Sequence, residues 1–430
     1  MTRPPGFDEA VESPSAPAAA ARVRLRPRKA LPFYGRHPWV LESAIARVEP
    51  APDADRRGSP DPDESLDGAV VDLVNDKGQF IARGFYNGKS RIRVRLLTWD
   101  ESEAIDESLF RRRIAQAILL REQIGYEVVS ERAMSASRLL FSESDGLSGL
   151  IVDRYGEYLV LQPTSLAMAQ RLEMIQAILF DLLRPRGIVL RTEKSMANLE
   201  GASLVEGHYW GQLPDAPIDI VESGVRLQID LSGGQKTGFY LDQRENRRAA
   251  AAYLRGRRVL DMFCYTGGFS LAAAKLGGAK ETLGIDGSKR AIAQARINAE
   301  LNGLPQCQFD VADGFKTLDA LAEQGEKFDS VVLDPPKFAR NRSGISQALM
   351  AYHRINRAAV ECLAPGGILV TCSCSGSVPR EDFLLMLSGV AQKSKRDMQI
   401  LECRGAAPDH PVSATCLETE YLKCVIARVA

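Results

Sequence analysis

The chain has 430 residues, of which 45% are apolar and 26% are charged, as in ordinary globular proteins. Its 55 basic and 55 acidic residues cancel, so bulk charge does not favour coating of nucleic acid or of a membrane, although a local basic face stays open. No apolar run approaches the roughly 18 residues of a membrane span, and we expect no membrane partner. Eight cysteines without a Cys-x-x-Cys pair, beside four histidines, argue against any metal site and favour a reducing cytoplasm.

The amino-terminal residues predict a tail followed by a small all-β module. Residues 1–21 hold four Pro and six Ala without periodicity, which predicts a disordered tail. Residues 22–98 form the β module, and residues 49–67 inside it, with four Pro and seven acids, predict a solvated loop. The strand candidates show period-two alternation or lie between turn residues, and they are 22–26, 69–74, 79–85 and 90–97.

Residues 99–210 mix helix and strand candidates and predict an α+β middle domain. Helical spacing at 103–124 ends at Gly125, which is suited to a helix C-cap, and a second helix near 165–183 stops before Pro185. The strand candidates are 138–141, 149–153, 158–162 and 187–192.

The carboxyl-terminal residues 257–430 alternate strands with helices, after a connecting hairpin segment at 211–256. Regular alternation predicts the α/β class, with a doubly wound and mainly parallel sheet. The strand candidates are 258–263, 282–286, 306–310, 328–334, 367–372, 397–402 and 421–428.

Acidic residues follow successive strands of this predicted sheet. Asp261 lies in the first strand, Asp286 ends the second and Asp313 follows the third. Because the carboxyl ends of parallel strands meet at one edge, these acids predict a cofactor with a ribose. The loop 264–268 lacks the G-x-G-x-x-G spacing for a pyrophosphate, so S-adenosylmethionine fits better than a hydride-transfer cofactor. The alternative is that each acid only caps a helix or solvates a strand end.

Two further residues at strand ends predict chemistry in the same cleft. Asp334 ends the fourth strand and is held by the two stiff prolines that follow it. A cysteine thiolate at the end of the fifth strand is a potential nucleophile. Periodicity does not distinguish Cys372 from Cys374, but the position nearer the carboxyl end favours Cys374. The alternative for either cysteine is inert packing.

The motifs together resemble bacterial 23S ribosomal RNA 5-methylcytosine methyltransferases of the RlmI type. The resemblance extends in order over about residues 25–430. Its most specific stretch is the run Gln235–Arg244. The other stretches are 35–40 with 82–84, 143–147 with 149–155, the loop 261–270, Asp-Pro-Pro-Lys-Phe at 334–338, and Ser-Cys-Ser-Gly at 373–376.

The resemblance implies three domains and assigns residues to the cofactor. It implies a PUA domain, an α+β linker domain and a Rossmann-like methyltransferase domain, which match the segments 22–98, 99–210 and 257–430. Phe239 and Arg244, in the segment 211–256, are expected to close the cofactor site. The residues implied to line that site are Asp261, Phe263, Tyr265, Gly267, Asp286 and Asp313.

The family's chemistry gives the two catalytic candidates their expected roles. The resemblance favours Cys374 as the nucleophile that attacks carbon 6 of cytosine, so that carbon 5 can take the methyl group. Asp334 is expected to hold the pyrimidine at N3 and at its amino group. The target base has to leave any stack to reach the cleft.

Two acid-free arginine stripes in the β module predict an RNA-binding face. Arginines at 22, 24 and 26, and again at 91, 93 and 95, alternate along strands and would share a strand face. An ordinary solvated face is the alternative. The residues expected to contact RNA are Arg36, His37, Trp39, Arg83, Arg91 and Arg93.

Two other functions remain open from the sequence. One is methylation of another base, such as guanine, or of an exocyclic amine, which requires no thiolate. The other is a non-catalytic RNA-binding assembly factor. The expected partners are large-subunit ribosomal RNA or its precursor particle, and a homodimer is a further expectation.

Overall fold

The computed structural model describes residues 19–51, 66–126, 134–192, 195–231, 238–339 and 344–430. The amino-terminal elements are β1 (Ala21–Leu25), α1 (Leu31–Tyr34), β2 (Trp39–Leu41), β3 (Ile45–Pro50), β4 (Val70–Val74), β5 (Phe80–Tyr86) and β6 (Ile92–Thr98). The strands form one sheet in the order β2-β6-β5-β4-β1-β3. In β1, Val23 and Leu25 are buried in the core while Arg22 and Arg24 face outward, which confirms the predicted alternation.

The middle elements form a five-stranded sheet with helices packed against it. They are α2 (Glu107–Gln123), β7 (Ala136–Phe141), β8 (Leu150–Tyr155), β9 (Tyr158–Pro163), α3 (Leu166–Ala169), α4 (Leu172–Leu183), β10 (Gly187–Leu190), α5 (Ser195–Glu200) and β11 (Tyr209–Gly211). The sheet order is β11-β10-β9-β8-β7. The predicted single helix at 165–183 is two helices, because the chain leaves the helical conformation at Arg171. The guanidinium of Arg171 lies 3.9 Å from the ring centre of Phe85, so this break ties the middle sheet to β5.

The carboxyl-terminal elements follow a hairpin and one helix. The full set is β12 (Ile218–Glu222), β13 (Val225–Ile229), α6 (Arg244–Ala251), β14 (Arg258–Met262), α7 (Gly268–Lys275), β15 (Glu281–Asp286), α8 (Lys289–Leu301), β16 (Cys307–Val311), α9 (Gly314–Glu323), β17 (Phe328–Leu333), α10 (Ile345–Cys362), β18 (Leu363–Ser373), α11 (Arg380–Ser394), β19 (Met398–Arg404) and β20 (Lys423–Val429).

The carboxyl-terminal sheet has the order β16-β15-β14-β17-β18-β20-β19. Its first five strands are parallel, and β20 runs antiparallel to both of its neighbours. All seven predicted strands occur, which confirms the α/β fold class. The fifth begins at Leu363 rather than at 367, because an irregularity in the pairing lets the turn residues Pro365 and Gly366 lie inside the strand.

The strand order reverses between β14 and β17, and this reversal positions the site. Helices on both faces bury large apolar clusters against the sheet, which makes the strands a rigid support. Chains leaving β14 and β17 depart to opposite faces, so a crevice opens at their carboxyl ends. Ligands of open α/β sheets bind in such a crevice.

The loop between β19 and β20 joins this sheet to the middle domain. The Arg138 backbone N–H donates to a carboxylate oxygen of Asp409 over 2.9 Å, and the Arg121 guanidinium donates to the Asp409 carbonyl over 2.8 Å. The Ser144 hydroxyl donates to the Pro411 carbonyl over 2.6 Å. Three hydrogen bonds therefore clamp the loop onto the middle sheet.

Some predictions fall on residues outside the described ranges. These are the tail up to residue 18, residues 52–65 of the predicted loop, and Gln235–Thr237 at the start of the most specific run. The domain limits at 22–98, 99–210, 211–256 and 257–430 stay predictions. Among the helices that the structure describes, none combines the length and the apolar character needed to cross a bilayer.

Candidate active site

Asp261 and Asp286 lie on neighbouring parallel strands at the carboxyl edge of the sheet. Asp261 is fully buried, and one of its oxygens accepts hydrogen bonds from the Ser270 N–H over 3.0 Å and the Ser270 hydroxyl over 2.7 Å. Its other oxygen is buried without a hydrogen-bond partner among the described residues. Burial, with Asp286 nearby, raises the pKa of Asp261 to about 7. A buried, unsatisfied acceptor at this edge fits a ligand that brings donors.

Asp286 and Asp313 each brace the backbone beside the cleft. Asp286 accepts from the Tyr265 N–H over 3.0 Å and from the Ser288 N–H over 2.8 Å, one bond on each oxygen. Each oxygen keeps a second lone pair for a hydroxyl donor. Asp313 is exposed and caps α9 by accepting from the Lys316 N–H over 2.9 Å. The alternative interpretation, that the acid only caps a helix, therefore holds for one carboxylate oxygen of Asp313.

The loop between β14 and α7 has an unusual backbone. Phe263, Tyr265 and Gly267 have φ values of 63°, 51° and 85°, in the left-handed region that disfavours residues with side chains. A Cβ atom on Gly267 would lie 2.9 Å from the ring of Phe309, so only glycine fits there. A backbone that doubles back in this way leaves room for a ligand to approach it closely. The loop and the two acids together fit an adenosyl cofactor with ribose hydroxyls and no pyrophosphate.

Asp334 follows β17 directly and is half-buried at the cleft. One of its oxygens accepts a hydrogen bond from the side-chain amide of Gln243 over 2.9 Å. Burial, together with the nearby carboxylate of Asp242, raises the pKa of Asp334 to about 7. At neutral pH this carboxyl is thus available both as an acid and as a base.

Cys374 follows β18, whose parallel neighbour β17 ends just before Asp334, and its thiol meets the backbone of Pro335, the residue after Asp334. Its half-buried thiol donates to the Pro335 carbonyl over 3.9 Å. Burial and the Asp334 charge raise the pKa of Cys374 to about 11, while Lys337 acts to lower it. Cys372, by contrast, is fully buried inside the strand opposite Cys424. The structure therefore brings Cys374, and not Cys372, to the cleft.

The two predicted closing residues take different places. Phe239 is buried beside the start of α7, where a Cβ atom on Gly268 would lie 3.4 Å from its ring, and the Arg247 guanidinium lies 4.4 Å from its ring centre. Arg244 faces the middle domain, where it bonds to the Ala136 carbonyl and lies 4.8 Å from the ring centre of Tyr126. Phe239 therefore packs next to the predicted cofactor loop, while Arg244 joins the segment to the middle domain.

Two residues of the same run reach the cleft although sequence reasoning did not select them. Tyr240 is 39% exposed, its ring lies 5.2 Å from that of Tyr265, and burial, with the charges of Asp334, Cys374, Asp242 and Asp286, raises the pKa of its hydroxyl. Gln243 is 2% exposed and bonds to Asp334. The run 235–244 contains both residues, so the motif was visible, but its lack of periodicity concealed which side chains face inward.

Lys423 is a further buried charge that sequence reasoning missed. It is 2% exposed, and its ammonium donates to the Ser375 carbonyl over 2.7 Å and to the Tyr421 carbonyl over 2.9 Å. Burial lowers the pKa of Lys423 to about 8, against the opposing effect of Cys374. This lysine lies beneath the turn that carries the thiol.

The predicted RNA contacts fall into two groups. Arg36 and Arg91 are exposed. His37 and Trp39 lie instead at the junction between domains, where the His37 ring is 3.4 Å from Glu418 and the Trp39 indole N–H donates to Glu143 over 2.9 Å.

Two of the arginines predicted to contact RNA are neutralised inside the protein. Arg83 is 4% exposed and pairs with Asp72 over 2.7 Å, so the structure does not place it on an exposed face. Arg93 pairs with Glu42 over 2.9 Å. The alternation that predicted a basic face does not reveal such partners, because they come from neighbouring strands and turns.

Comparison with known proteins identifies the domains. A PUA-like domain family matches residues 23–99, and an S-adenosylmethionine-dependent methyltransferase family matches residues 205–419. A solved structure of a methyltransferase complexed with SAH is similar to this protein, with 22% identity and a TM-score of 0.78. The alignment covers 95% of this chain and 100% of the other, which shows a shared fold.

Two curated relatives are similar over nearly the whole chain. The ribosomal RNA large subunit methyltransferase I of Aeromonas hydrophila is 40% identical over 91% of this chain and 95% of its own length. The protein of the same name from Klebsiella pneumoniae is 39% identical over 92% of this chain and 94% of its own length. The chain therefore belongs to the ribosomal RNA large subunit methyltransferase I family and is an S-adenosylmethionine-dependent enzyme.

Proposed function

We propose that this enzyme transfers the methyl group of S-adenosylmethionine to carbon 5 of a cytosine in 23S ribosomal RNA, through a covalent bond between Cys374 and carbon 6. The observation that carries the proposal is that the Cys374 thiol contacts Pro335, the residue after Asp334, at the ends of adjacent strands, close enough for the Asp334 charge to act on the thiol. A thiol and a carboxyl group side by side at a methyltransferase cofactor edge suit a pyrimidine ring, which needs a nucleophile on one side and an acid at N3.

The proposed methyl transfer to cytosine has four steps, and the electrons balance in each. The Cys374 thiolate bonds to carbon 6, and the ring's electrons move to N3, which takes a proton from Asp334. Carbon 5 of this enamine then forms the bond to the methyl group, which S-adenosylmethionine held at the Asp261 and Asp286 edge would supply, with its neutral thioether as the leaving group. A base removes the proton from carbon 5, the double bond re-forms, and the thiolate leaves. N3 finally returns its proton to Asp334.

The elevated pKa of Cys374 is consistent with these steps. The charge of Asp334 is one cause of that elevation, so protonation of Asp334 lowers the pKa of the thiol. Protonation of Asp334, which N3 requires, therefore favours the Cys374 thiolate, which carbon 6 requires. Lys337 acts in the same direction on the thiol.

The inference that this enzyme binds ribosomal RNA rests on its membership of the family. We propose that Arg36 and Arg91, both exposed on the PUA-like domain, contact the phosphate backbone. A ribosomal RNA substrate implies that the enzyme acts in the cytoplasm, on free 23S RNA or on a precursor particle. Assays with each substrate decide between these two.

Tritium release tests the chemistry directly. Ribosomal RNA labelled with tritium at cytosine carbon 5, from a strain that lacks the enzyme, is incubated with cofactor and wild type, Cys374→Ala or Cys372→Ala. We expect release by wild type and by Cys372→Ala, because the Cys372 side chain is fully buried and presents no thiol to a bound base, and none by Cys374→Ala. Methyl incorporation without tritium release would instead indicate guanine or an exocyclic amine. Cofactor binding without turnover on free RNA or on particles would indicate an assembly factor.

A further inference from the structure

A chain of side chains leads from Asp334 into the protein, away from the cleft. The Gln243 amide nitrogen donates to Asp334 over 2.9 Å, and the Asn246 amide nitrogen donates to the Gln243 carbonyl oxygen over 2.6 Å. The Arg404 guanidinium donates to the Asn246 carbonyl oxygen over 3.1 Å. Gln243 and Asn246 are almost fully buried, so water does not compete for these bonds.

The direction of every bond in this chain follows from Arg404. A guanidinium has donors and no acceptor, so the Asn246 oxygen must face it. The Asn246 nitrogen then faces Gln243, and its second N–H donates to the Gly405 carbonyl over 3.0 Å. Gln243 must therefore turn its oxygen to Asn246 and its nitrogen to Asp334. The polarity at the catalytic carboxyl is set three residues away.

We propose that Gln243, oriented by Asn246 and Arg404, is a positioning residue that keeps the proton of Asp334 on the oxygen facing the target base. An oxygen that accepts an N–H bond acts as the carbonyl oxygen of a carboxylic acid, so the proton resides on the other oxygen. The inference rests on the proposed function, in which Asp334 serves N3 of cytosine.

The resulting pattern matches cytosine. The protonated oxygen donates to N3, while the oxygen bonded to Gln243 keeps a lone pair for the amino group of cytosine. Uracil presents a donor at N3 and an acceptor at carbon 4, so the same arrangement opposes it. The polarity of one buried amide thus contributes to the choice of base.

Other charges near Asp334 have to be considered in any pH experiment. Burial and Asp242 act to raise the pKa of Asp334, Gln243 acts to lower it, and Asp261 and Arg247 have smaller opposing effects. Asp334 in turn affects four nearby groups, which are Tyr240, Tyr352, Cys372 and Cys374. Cys372 also contacts Gln243, but its burial holds the pKa of its thiol well above the usual value, so a shift near pH 7 in a Gln243 variant reports the amide bond lost by Asp334.

The test compares wild type with Gln243→Met, which keeps the length of the side chain and removes the donor. We expect kcat to fall about 10- to 100-fold, the usual effect of a lost hydrogen bond to a charged group. The inflection of kcat/KM near pH 7, where Asp334 titrates, should move to higher pH because the lost bond favoured the charged form. Gln176→Met, on the surface of α4, is the matched control and should change neither quantity.

A second variant and a binding measurement keep the test decisive. Gln243→Glu donates to Asp334 only when protonated, so its activity relative to wild type should rise as pH falls. An unchanged Kd for S-adenosylmethionine shows that each variant is folded. An unaltered kcat, or a lower kcat with an unmoved inflection, would overturn the inference, because lost packing alone does not move a titration. Tritium release by Cys374→Ala or Asp334→Asn would instead overturn the proposed function.

Discussion

Replacing Asp409 with Asn should remove a pH-dependent part of the enzyme's stability. The Asp409 carboxylate is fully buried, lies 2.8 Å from the His410 ring nitrogen and accepts from the Arg138 N–H. Burial alone would raise its pKa, but His410, Arg244 and the Arg138 N–H outweigh burial and hold the pKa at about 2, against 3.8 for a free Asp. The ionised form is therefore the one that the folded protein favours.

The size of this effect follows from the two pKa values. A carboxyl group whose pKa is lower in the folded state stabilises the folded protein at pH values above its unfolded pKa. This stabilisation is lost as the pH falls through the folded pKa. The difference is worth about 2.4 kcal/mol near pH 5 and about 1.3 kcal/mol near pH 3. Asn keeps an acceptor for the Arg138 N–H but carries no charge, so it lacks this contribution at every pH.

Urea unfolding of wild type and Asp409→Asn provides the assay. The stability difference between the two proteins should be close to its full size near pH 5 and shrink by about half near pH 3. Any lost packing adds an offset that does not depend on pH. A difference that is flat down to about pH 3 would refute the assigned role of the Asp409 charge.

Three further predictions concern single residues. Gly267→Ala should weaken S-adenosylmethionine binding about tenfold or more in calorimetry, because its Cβ would meet a ring at 2.9 Å in a left-handed backbone; unchanged affinity would contradict the cofactor placement. Arg95→Met should lower the free energy of unfolding by about 3–5 kcal/mol in denaturant titration. The substitution leaves the buried carboxylate of Glu200, which lies 3.0 Å from Arg95, without its charge partner. A denaturation midpoint equal to that of wild type would contradict this. Lys423→Met should raise the pKa of the Cys374 thiol and slow its alkylation severalfold at neutral pH, because the buried ammonium nearby is lost; an unchanged alkylation rate would show that the lysine only packs.

The place of the candidate site residues at one sheet edge was predictable because these residues lie at or near the ends of regular strands. Asp261, Asp286, Asp334 and Cys374 each follow an apolar run, and a parallel sheet brings the ends of such runs together whatever the details of packing. Choosing Cys374 over Cys372 needed only the distance of each from the strand end. These four positions required no knowledge of contacts between distant side chains.

The residues that escaped prediction depend on contacts that no periodicity encodes. Gln243 meets a partner 91 positions later in the chain, from a 3-10 helix of only three residues, Leu241–Gln243, which is too short to show a periodicity. Arg93 shows the reverse case, since its alternation suggested an open basic face while Glu42, in the turn after the adjacent strand β2, pairs with it. Single-sequence patterns give the direction of a side chain but not its partner.

The clamp between the β19–β20 loop and the middle domain has a consequence for synthesis. Its hydrogen bonds join residues 271 and 288 positions apart, and the loop precedes only the last strand of the chain. A ribosome adding about 5–20 residues per second needs roughly 15–55 seconds to supply that loop after Arg138 has been made. During that interval the middle sheet has to persist with its clamping groups unbound. The final residues to emerge therefore complete a domain begun long before them, and a chain arrested late in translation would present the quality-control machinery with an open middle sheet.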